Sequence, residues 1–359
     1  MSRNEVKKFP KVSFLMLNWN GINFTKKCIL SLIKTKYPNF EIVVVDNGSD
    51  NNEANLLEKE FKNVIRVVKS RVNVGYAAGM NLAIKHSTGD YIMVLNNDME
   101  FSKNWLYPLI DVLKNNSNVG AVQPKIKDIK RKNYLEAGGA AGGFMDFLGY
   151  PFARGRIFST VEKDYGQYDE PVRVSWAGVF LIKKEVLKKV GLFNEIYFNY
   201  DEDRDMCYRL YGKGYLVLNI PSSVVYHFGG AVLKRNMSKK LFFHHRNNLI
   251  FLIINERVLY LLLVLPLRIF MDILSIFYYT FTGDPHIAVS VVKAYGSLIT
   301  LTGKIYASRK ATQKKIDRKY LSLMPVYKGS IVLQYFITRK RTFHEIISDK
   351  NFYNFTPKI

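Results

Sequence analysis

The stretch VSFLMLNWNGINFTKKCILSLIKTKYPNFEIVVVDNGS, residues 12–49, decides the fold. Two apolar runs, VSFLML (12–17) and EIVVVD (41–46), flank a segment of helical periodicity at 24–36. Both runs lack strict alternation, the pattern of strands buried on both faces. Each ends in small polar residues: Asn18-Trp19-Asn20-Gly21 after the first, Asp46-Asn47-Gly48-Ser49 at the second.

The alternation continues outward. VIRVV (64–68) and DYIMVL (90–95) read as two more buried strands, with helical segments at 52–62, 76–87 and 102–115. Strand–helix alternation predicts an α/β fold with a mainly parallel sheet and helices on both faces. In such sheets ligands bind beyond the carboxyl ends of the strands. The polar residues fall there: Asn73-Val74-Gly75-Tyr76-Ala77-Ala78-Gly79-Met80-Asn81 follows the third strand, and Asn96-Asn97-Asp98 ends the fourth. One Asx-Gly pair is an ordinary turn. Four polar clusters at equivalent strand ends describe a site.

Residues 11–125 form one half of the expected domain and 126–232 a second. The second half opens with a Gly-rich stretch, Ala137 to Gly143, and a loop to about residue 170. Val174-Ser175-Trp176-Ala177-Gly178 then leads into the strand VFLI and a helix from Lys183. Asp201, Glu202, Asp203 and Asp205 crowd the start of another helix, with Arg209 four residues beyond Asp205. Acidic residues suit a first helical turn, and Asp205–Arg209 suits an i,i+4 pair. Four carboxylates within five residues nevertheless need counter-charges or a task.

The chain carries a formal charge of +23, of which +15 lies in residues 233–359. A nucleic-acid-binding protein would spread that charge around its groove. Here it flanks the most apolar segment, 241–305, as in proteins held on anionic lipid. Within 258–281, Pro266, Arg268 and Asp272 leave uncharged pieces too short for a clean span. Some fifteen strongly apolar residues contribute about −7 kcal/mol to insertion, and a central Arg and Asp cost about +5 to +7 kcal/mol. The balance predicts apolar membrane-associated helices at 233–305, interfacial or re-entrant, and a basic tail at 306–359 against the cytoplasmic leaflet. The polar start, Met1 to Lys11, runs directly into a strand, so the first domain is expected in the cytosol. Cys28 and Cys207 lack metal-ligand spacing and read as small core residues.

The strand-end residues match what sugar transfer from a nucleotide donor requires. Asp46 can accept from a pyrimidine N–H, and Trp19 can stack on the base. Asp98 offers a hard oxygen to Mg2+ or Mn2+. Glu202 and Asp203 offer a base for the attacking hydroxyl.

The ordered set resembles the GT-A fold, family 2 inverting glycosyltransferases, and specifically their rhamnosyltransferase-like branch. It comprises Asn18 to Gly21, Val45 to Ser49, Asn73 to Asn81, Leu95 to Asp98, Gly191-Leu192-Phe193-Asn194-Glu195 and Phe198-x-Tyr200-x-Glu202-Asp203-x-Asp205-x-x-x-Arg209. Order and spacing agree over residues 12–230. The resemblance implies a GT-A domain followed by an apolar C-terminal region.

It also implies roles. Asn18, Trp19, Asn20, Asp46, Asn47, Asn73, Gly75, Gly79, Asn81 and Asn97 would serve the nucleotide-sugar donor. Asn96 and Asp98 would stand at the metal motif, with Asn in place of its first Asp, and His227 in Tyr226-His227-Phe228-Gly229-Gly230 would join them. Asp203 would be the base, Glu202 would orient the acceptor, and Trp176 and Gly178 would lie on the acceptor side. Arg246 in His244-His245-Arg246-Asn247 either reaches the diphosphate or takes a solvated or lipid-facing role. The implied partners are a nucleotide diphosphate sugar, a glycan or lipid-linked glycan acceptor and an anionic membrane surface, without nucleic acid. The competing reading is a non-catalytic sugar- or nucleotide-binding protein of the same fold.

Overall fold

The computed structural model describes residues 9–136, 138–229 and 237–347. Met1–Lys8, Ala137, Gly230 of the His227 motif and the tail from Ser348 lie outside the described residues.

The chain opens with β1 (Val12–Asn18), α1 (Ile22–Leu32), β2 (Phe40–Asn47), α2 (Glu53–Glu60), β3 (Ile65–Ser70), α3 (Gly75–Lys85) and β4 (Tyr91–Val94). β1 pairs in parallel with β2 and β4, and β2 with β3. Phe14, Leu15, Val43, Val44, Ile92 and Met93 are fully buried, so both faces of these strands are covered, as their unbroken apolar runs require.

Beyond β4 the sheet becomes mixed. β5 (Met99–Phe101), α4 (Tyr107–Asn115) and β6 (Val119–Asp128) follow, then β7 (Gly143–Asp146), β8 (Pro151–Ala153), β9 (Arg156–Ile157), β10 (Thr160–Val161), β11 (Val172–Arg173) and β12 (Phe180–Lys183). α5 (Lys184–Val190), α6 (Glu202–Tyr211) and β13 (Leu216–His227) complete this part of the chain. The nine-stranded sheet has the order β11-β13-β6-β12-β4-β1-β2-β3, with β5 on β13. β12 runs antiparallel to both β4 and β6. β13 is parallel to β6, so its C-terminal end emerges at the same edge as those of β1, β2 and β4.

The segment read as a loop to about residue 170 instead contributes β7 to β10 of a second sheet, completed by β14 (Val326–Tyr327) in the order β10-β9-β8-β7-β14. Its strands are two to four residues long, too short for alternation to register in the sequence. The tail also departs from expectation. β14 pairs with β7, Ile331 N–H donates to Asp146 Oδ2 at 2.9 Å, and Tyr335, Phe343 and Ile346 are buried. Much of 306–347 therefore packs on the second sheet.

The C-terminal helices are α7 (Met237–Asn255), α8 (Val258–Phe281) and α9 (Pro285–Gln313). In place of pieces broken at Pro266, Arg268 and Asp272, α8 is one helix of 24 residues. Its charged residues face inward. Arg268 and Asp272 are each 1% exposed. Asp272 accepts from His245 Nδ1 at 3.0 Å and from the Tyr295 hydroxyl at 2.7 Å, while the Arg268 guanidinium lies 3.5 Å from the centre of the Tyr150 ring. The outward face is apolar: Leu259 is 82% exposed and Phe281 84%, with Leu262, Leu263, Phe270 and Phe277 between them. Both charges fall inside the apolar run in sequence order, and the turn of the helix carries them to its inward side.

No boundary separates α7 from the domain before it. Tyr208 of α6 donates to Asn255 O at 2.9 Å, and Asn255 Nδ2 donates to Asp205 Oδ1 at 3.2 Å. The expected division at residue 232 cuts through one packed unit.

Candidate active site

The β1 and β2 ends form a tight polar knot. Asn18 Nδ2 faces Asp46 Oδ2 at 2.9 Å, Glu53 Oε2 at 2.8 Å and Ser49 Oγ at 3.1 Å. The Ser49 N–H donates to Asp46 Oδ1 at 3.1 Å, and the Gly21 N–H to Glu53 Oε2 at 3.1 Å. Asp46 keeps lone pairs for an incoming donor, since each carboxylate oxygen accepts two hydrogen bonds. Asn18 is fully buried and holds Asp46 in place. Trp19 is 41% exposed, with Lys239 Nζ 5.8 Å from its ring centre. Asn20, at φ +50°, exchanges hydrogen bonds with Asp50.

Asn47, Asn73 and Asn81 shape the turn into α3. Asn47 Oδ1 accepts from Val74 N–H, Asn47 Nδ2 donates to Gly75 O at 3.1 Å, and Asn73 Oδ1 accepts from Gly75 N–H at 2.9 Å. Asn81 exchanges two bonds of 2.9 Å with the Phe193 backbone. These three amides spend their hydrogen bonds within the fold. Gly75 has φ +85°, and a β-carbon there would lie 2.5 Å from Phe198 O, so only glycine lets the acidic segment close on α3. Gly79 similarly packs against Leu17.

The β5–β13 ladder brings Asp98 to His227. His227 is registered with Met99, and Phe228 N–H donates to Asp98 O at 2.9 Å. His227 Nε2 consequently lies 2.9 Å from Asp98 Oδ1 and 3.4 Å from Asn96 Nδ2. Glu136 Oε2 lies 2.5 Å from His227 Nδ1. Burial opposes charge on this imidazole, but the bonds to Asp98 and Glu136 outweigh it and push its pKa to about 10. Asn97 turns away and donates to Thr25 Oγ1 at 2.9 Å.

The donor set fits a divalent cation. Adjacent ligands of an octahedral ion with bonds of about 2.1 Å stand about 3 Å apart, close to the Asp98–His227 separation. Among the described residues no group of three His, Cys, Asp or Glu side chains would hold an ion alone. Asp98 and His227, with Asn96 beside them, are the residues that would hold such an ion.

The four carboxylates at the start of α6, Asp201 at its N-cap and Glu202, Asp203 and Asp205 within it, divide cleanly. Asp201 pairs with Arg204 at 2.9 Å and Asp205 with Arg209 at 2.8 Å, all four buried. Among the described residues Glu202 and Asp203 form no salt bridge, although Asp203 Oδ1 accepts from the Arg204 backbone N–H at 2.8 Å. Burial and the charge of Asp203 raise the Glu202 pKa well above the usual range, and burial with Asp201 pushes Asp203 up to about 6. Asp203 alone of the four is not fully buried.

Two glycines lie between Asp203 and His227. A β-carbon on Gly178 would lie 3.6 Å from Asp203 Oδ2 and 3.2 Å from Gly138 O, and one on Gly138 would lie 3.8 Å from His227 Nδ1. Trp176 is fixed differently, its Nε1–H donating to Phe144 O at 2.8 Å in the second sheet.

The segment entering α6 is strained. Phe198, Tyr200 and Asp201 have φ of +60°, +69° and +67°, each costing about 1–3 kcal/mol for a residue with a side chain. α7 compensates. Asn247 Nδ2 lies 2.9, 2.7 and 2.8 Å from the carbonyl oxygens of Tyr197, Asn199 and Tyr200, and Arg246 Nη2 donates to Tyr197 O at 2.7 Å. The Arg246 guanidinium is buried under this loop.

Sequence reasoning missed Glu136, Glu53, Asn247 and the chemistry of Tyr76. The Tyr76 hydroxyl is buried without a hydrogen-bond partner among the described residues. Burial and the charges of Glu202, Asp203 and Asp98 raise its pKa. Its place in the motif after β3 was the available signal; Glu136 was signalled only by preceding the Gly-rich stretch.

Comparison with known proteins gives the family and the fold. Residues 13–191 match the model of glycosyl transferase family 2, and the chain belongs to that family. It is 27% identical over 237 residues to the O-antigen biosynthesis protein RfbC of Myxococcus xanthus, covering 64% of this chain and 18% of that protein. It is 26% identical over 203 residues to the N-acetylglucosaminyl-diphospho-decaprenol L-rhamnosyltransferase of Mycobacterium tuberculosis, covering 52% of this chain and 66% of that one. The chain thus spans between about a fifth and two thirds of the length of these relatives. The crystal structure of GalNAc-T7 with UDP, GalNAc and Mn2+ superposes with a TM-score of 0.53 at 18% identity, over 69% of this chain and 48% of that one. That likeness shows the GT-A fold.

Proposed function

We propose that the chain transfers a sugar, with inversion, from a nucleotide diphosphate donor to a hydroxyl of a glycan or lipid-linked glycan. The observation that carries this is Asp203, the partly exposed member of an acidic cluster whose two structural carboxylates already have arginines. It opens beside Gly178, at the sheet edge that bears Asp46 and Asp98.

In this mechanism Asp46 accepts from the pyrimidine N–H, held in register by Asn18 and Ser49. Trp19 covers the base. Asp98 and His227, with Asn96 beside them, would hold Mn2+ or Mg2+. Such an ion neutralises charge on the leaving diphosphate. Asp203 takes the proton from the acceptor oxygen as that oxygen attacks the anomeric carbon. Its pKa of about 6 keeps it ionised yet basic near neutral pH. Glu202, whose pKa is raised by burial and by the charge of Asp203, orients the acceptor. The Tyr76 hydroxyl is free for a sugar hydroxyl.

The resemblance to the rhamnosyltransferase-like branch implies dTDP-L-rhamnose as donor, and similarity to the mycobacterial enzyme supports L-rhamnose and a lipid-linked acceptor. The outward face of α8 supports seating at the cytoplasmic face of the cell membrane, peripheral or monotopic. Its 24 residues extend about 36 Å, but its inward side is occupied by the protein. Basic residues of the C-terminal third add attraction for anionic lipid of about 1 kcal/mol for each that reaches the surface.

A panel of nucleotide diphosphates with Mn2+ tests the donor. At a hundred times its dissociation constant the cognate nucleotide should add about 2.7 kcal/mol of stability, with dTDP or UDP above GDP and ADP. No stabilisation by any of them would refute the nucleotide-sugar reading. Stabilisation without hydrolysis or transfer would favour the non-catalytic binding protein.

A further inference from the structure

Glu136 follows β6 and precedes Gly138, and its carboxylate is buried. Oε2 lies 2.5 Å from His227 Nδ1, and Oε1 lies 3.6 Å from Arg156 Nη1. The surrounding backbone accommodates this carboxylate. Gly229 adopts φ +53°, and a β-carbon there would lie 2.2 Å from Glu136 Oε1. Gly138 N–H adds a long contact of 3.4 Å to Oε2. The glycine after His227-Phe228 therefore makes room for the Glu136 head group.

An imidazole that binds a cation must present an unprotonated nitrogen to it, and its other N–H needs an acceptor that fixes both tautomer and ring plane. Glu136 is on the Nδ1 side, and Asp98 and Asn96 are on the Nε2 side. We propose that Glu136 is the positioning residue of this site: it takes the Nδ1–H of His227 and holds the Nε2 lone pair toward the cation shared with Asp98. This rests on the metal reading above. It assigns the Gly-rich stretch after β6 a task that its turn propensity alone does not explain. Arg156 stands on the far oxygen of the carboxylate.

The test is Mn2+ affinity of the full chain in detergent, measured by loss of the free Mn2+ electron paramagnetic resonance signal, with UDP present. Wild type, Asp98→Ala, Glu136→Ala and Glu136→Gln are compared. Losing such an outer partner typically weakens metal binding roughly 10- to 100-fold. Glu136→Ala should fall in that range. Glu136→Gln, whose amide oxygen still accepts from Nδ1–H, should lose less, a graded rescue that a purely structural role would not produce. If Glu136→Ala does not fold, Glu136→Gln should still bind Mn2+ measurably less tightly than wild type. Wild-type Mn2+ affinity in the folded Glu136 variants, with Asp98→Ala defective, would overturn the proposal and leave the metal site standing. No Mn2+ binding by wild type would remove the metal reading itself and this inference with it.

Discussion

Asn247 of α7 places its side-chain amide 2.8 Å from the carbonyl oxygen of Tyr200, three residues before Asp203. With the carbonyls of Tyr197 and Asn199 also in reach, one side chain from the C-terminal third holds a backbone that three positive φ angles would otherwise release. The third of the chain that carries the apolar helices thus shapes the acidic turn of the active site.

Asn247→Ala should therefore cost stability as well as activity. Leaving buried carbonyls without donors costs about 1–3 kcal/mol each, and an amide has two hydrogens to give. A loss of about 2–5 kcal/mol in urea unfolding is expected, together with a fall in kcat. A chain ending at residue 232 should aggregate rather than yield a folded catalytic domain; a monodisperse, cooperatively unfolding fragment would contradict the packing described here.

The pH profile should report Asp203. Its folded pKa is raised to about 6 by burial and by Asp201, so the ionised base is complete above about pH 7 and is lost as pH falls through 6. The acid limb of kcat/KM should centre near 6 and drop roughly tenfold per unit below it. A limb centred near 4 would mean that Asp203 is unperturbed or is not the base.

Opposite outcomes are expected for the two sides of α8. Asp272→Ala leaves Arg268 buried with its partner gone, and breaking such a pair costs about 3–5 kcal/mol. Leu263→Lys on the outward face should leave urea stability within about 0.5 kcal/mol. It should, however, reduce sedimentation with anionic vesicles. Equal vesicle binding by Leu263→Lys and wild type would remove α8 from the membrane contact.

The parallel strands, their polar ends and the acidic turn were legible because each depends on local pattern. Apolar runs such as EIVVVD mark buried strands, and Asp98, Asp203 and His227 stand in spaced motifs. What escaped depends on contacts distant in sequence. The small sheet is built from strands of two to four residues and closed by Val326 and Tyr327, more than 150 residues beyond β10. Glu136 meets His227 across 91 positions, and Asn247 meets Tyr200 across 47. In α8, Arg268 and Asp272 interrupt the apolar run, and their i,i+4 spacing in the sequence already allows a pair; what needed the fold was the burial of both against Tyr150 and His245.

The most direct test of the central claim is sugar transfer by Asp203→Asn beside wild type. Each is assayed as full chain in detergent with Mn2+, dTDP-L-rhamnose or a UDP-sugar, and a lipid-linked glycan acceptor. The account predicts that Asp203→Asn folds and is stabilised by the nucleotide diphosphate as wild type is. Its transfer rate should fall by a factor on the order of 10² to 10⁴, the worth of a positioned base. Near wild-type transfer by Asp203→Asn would contradict the account and move the base elsewhere on α6.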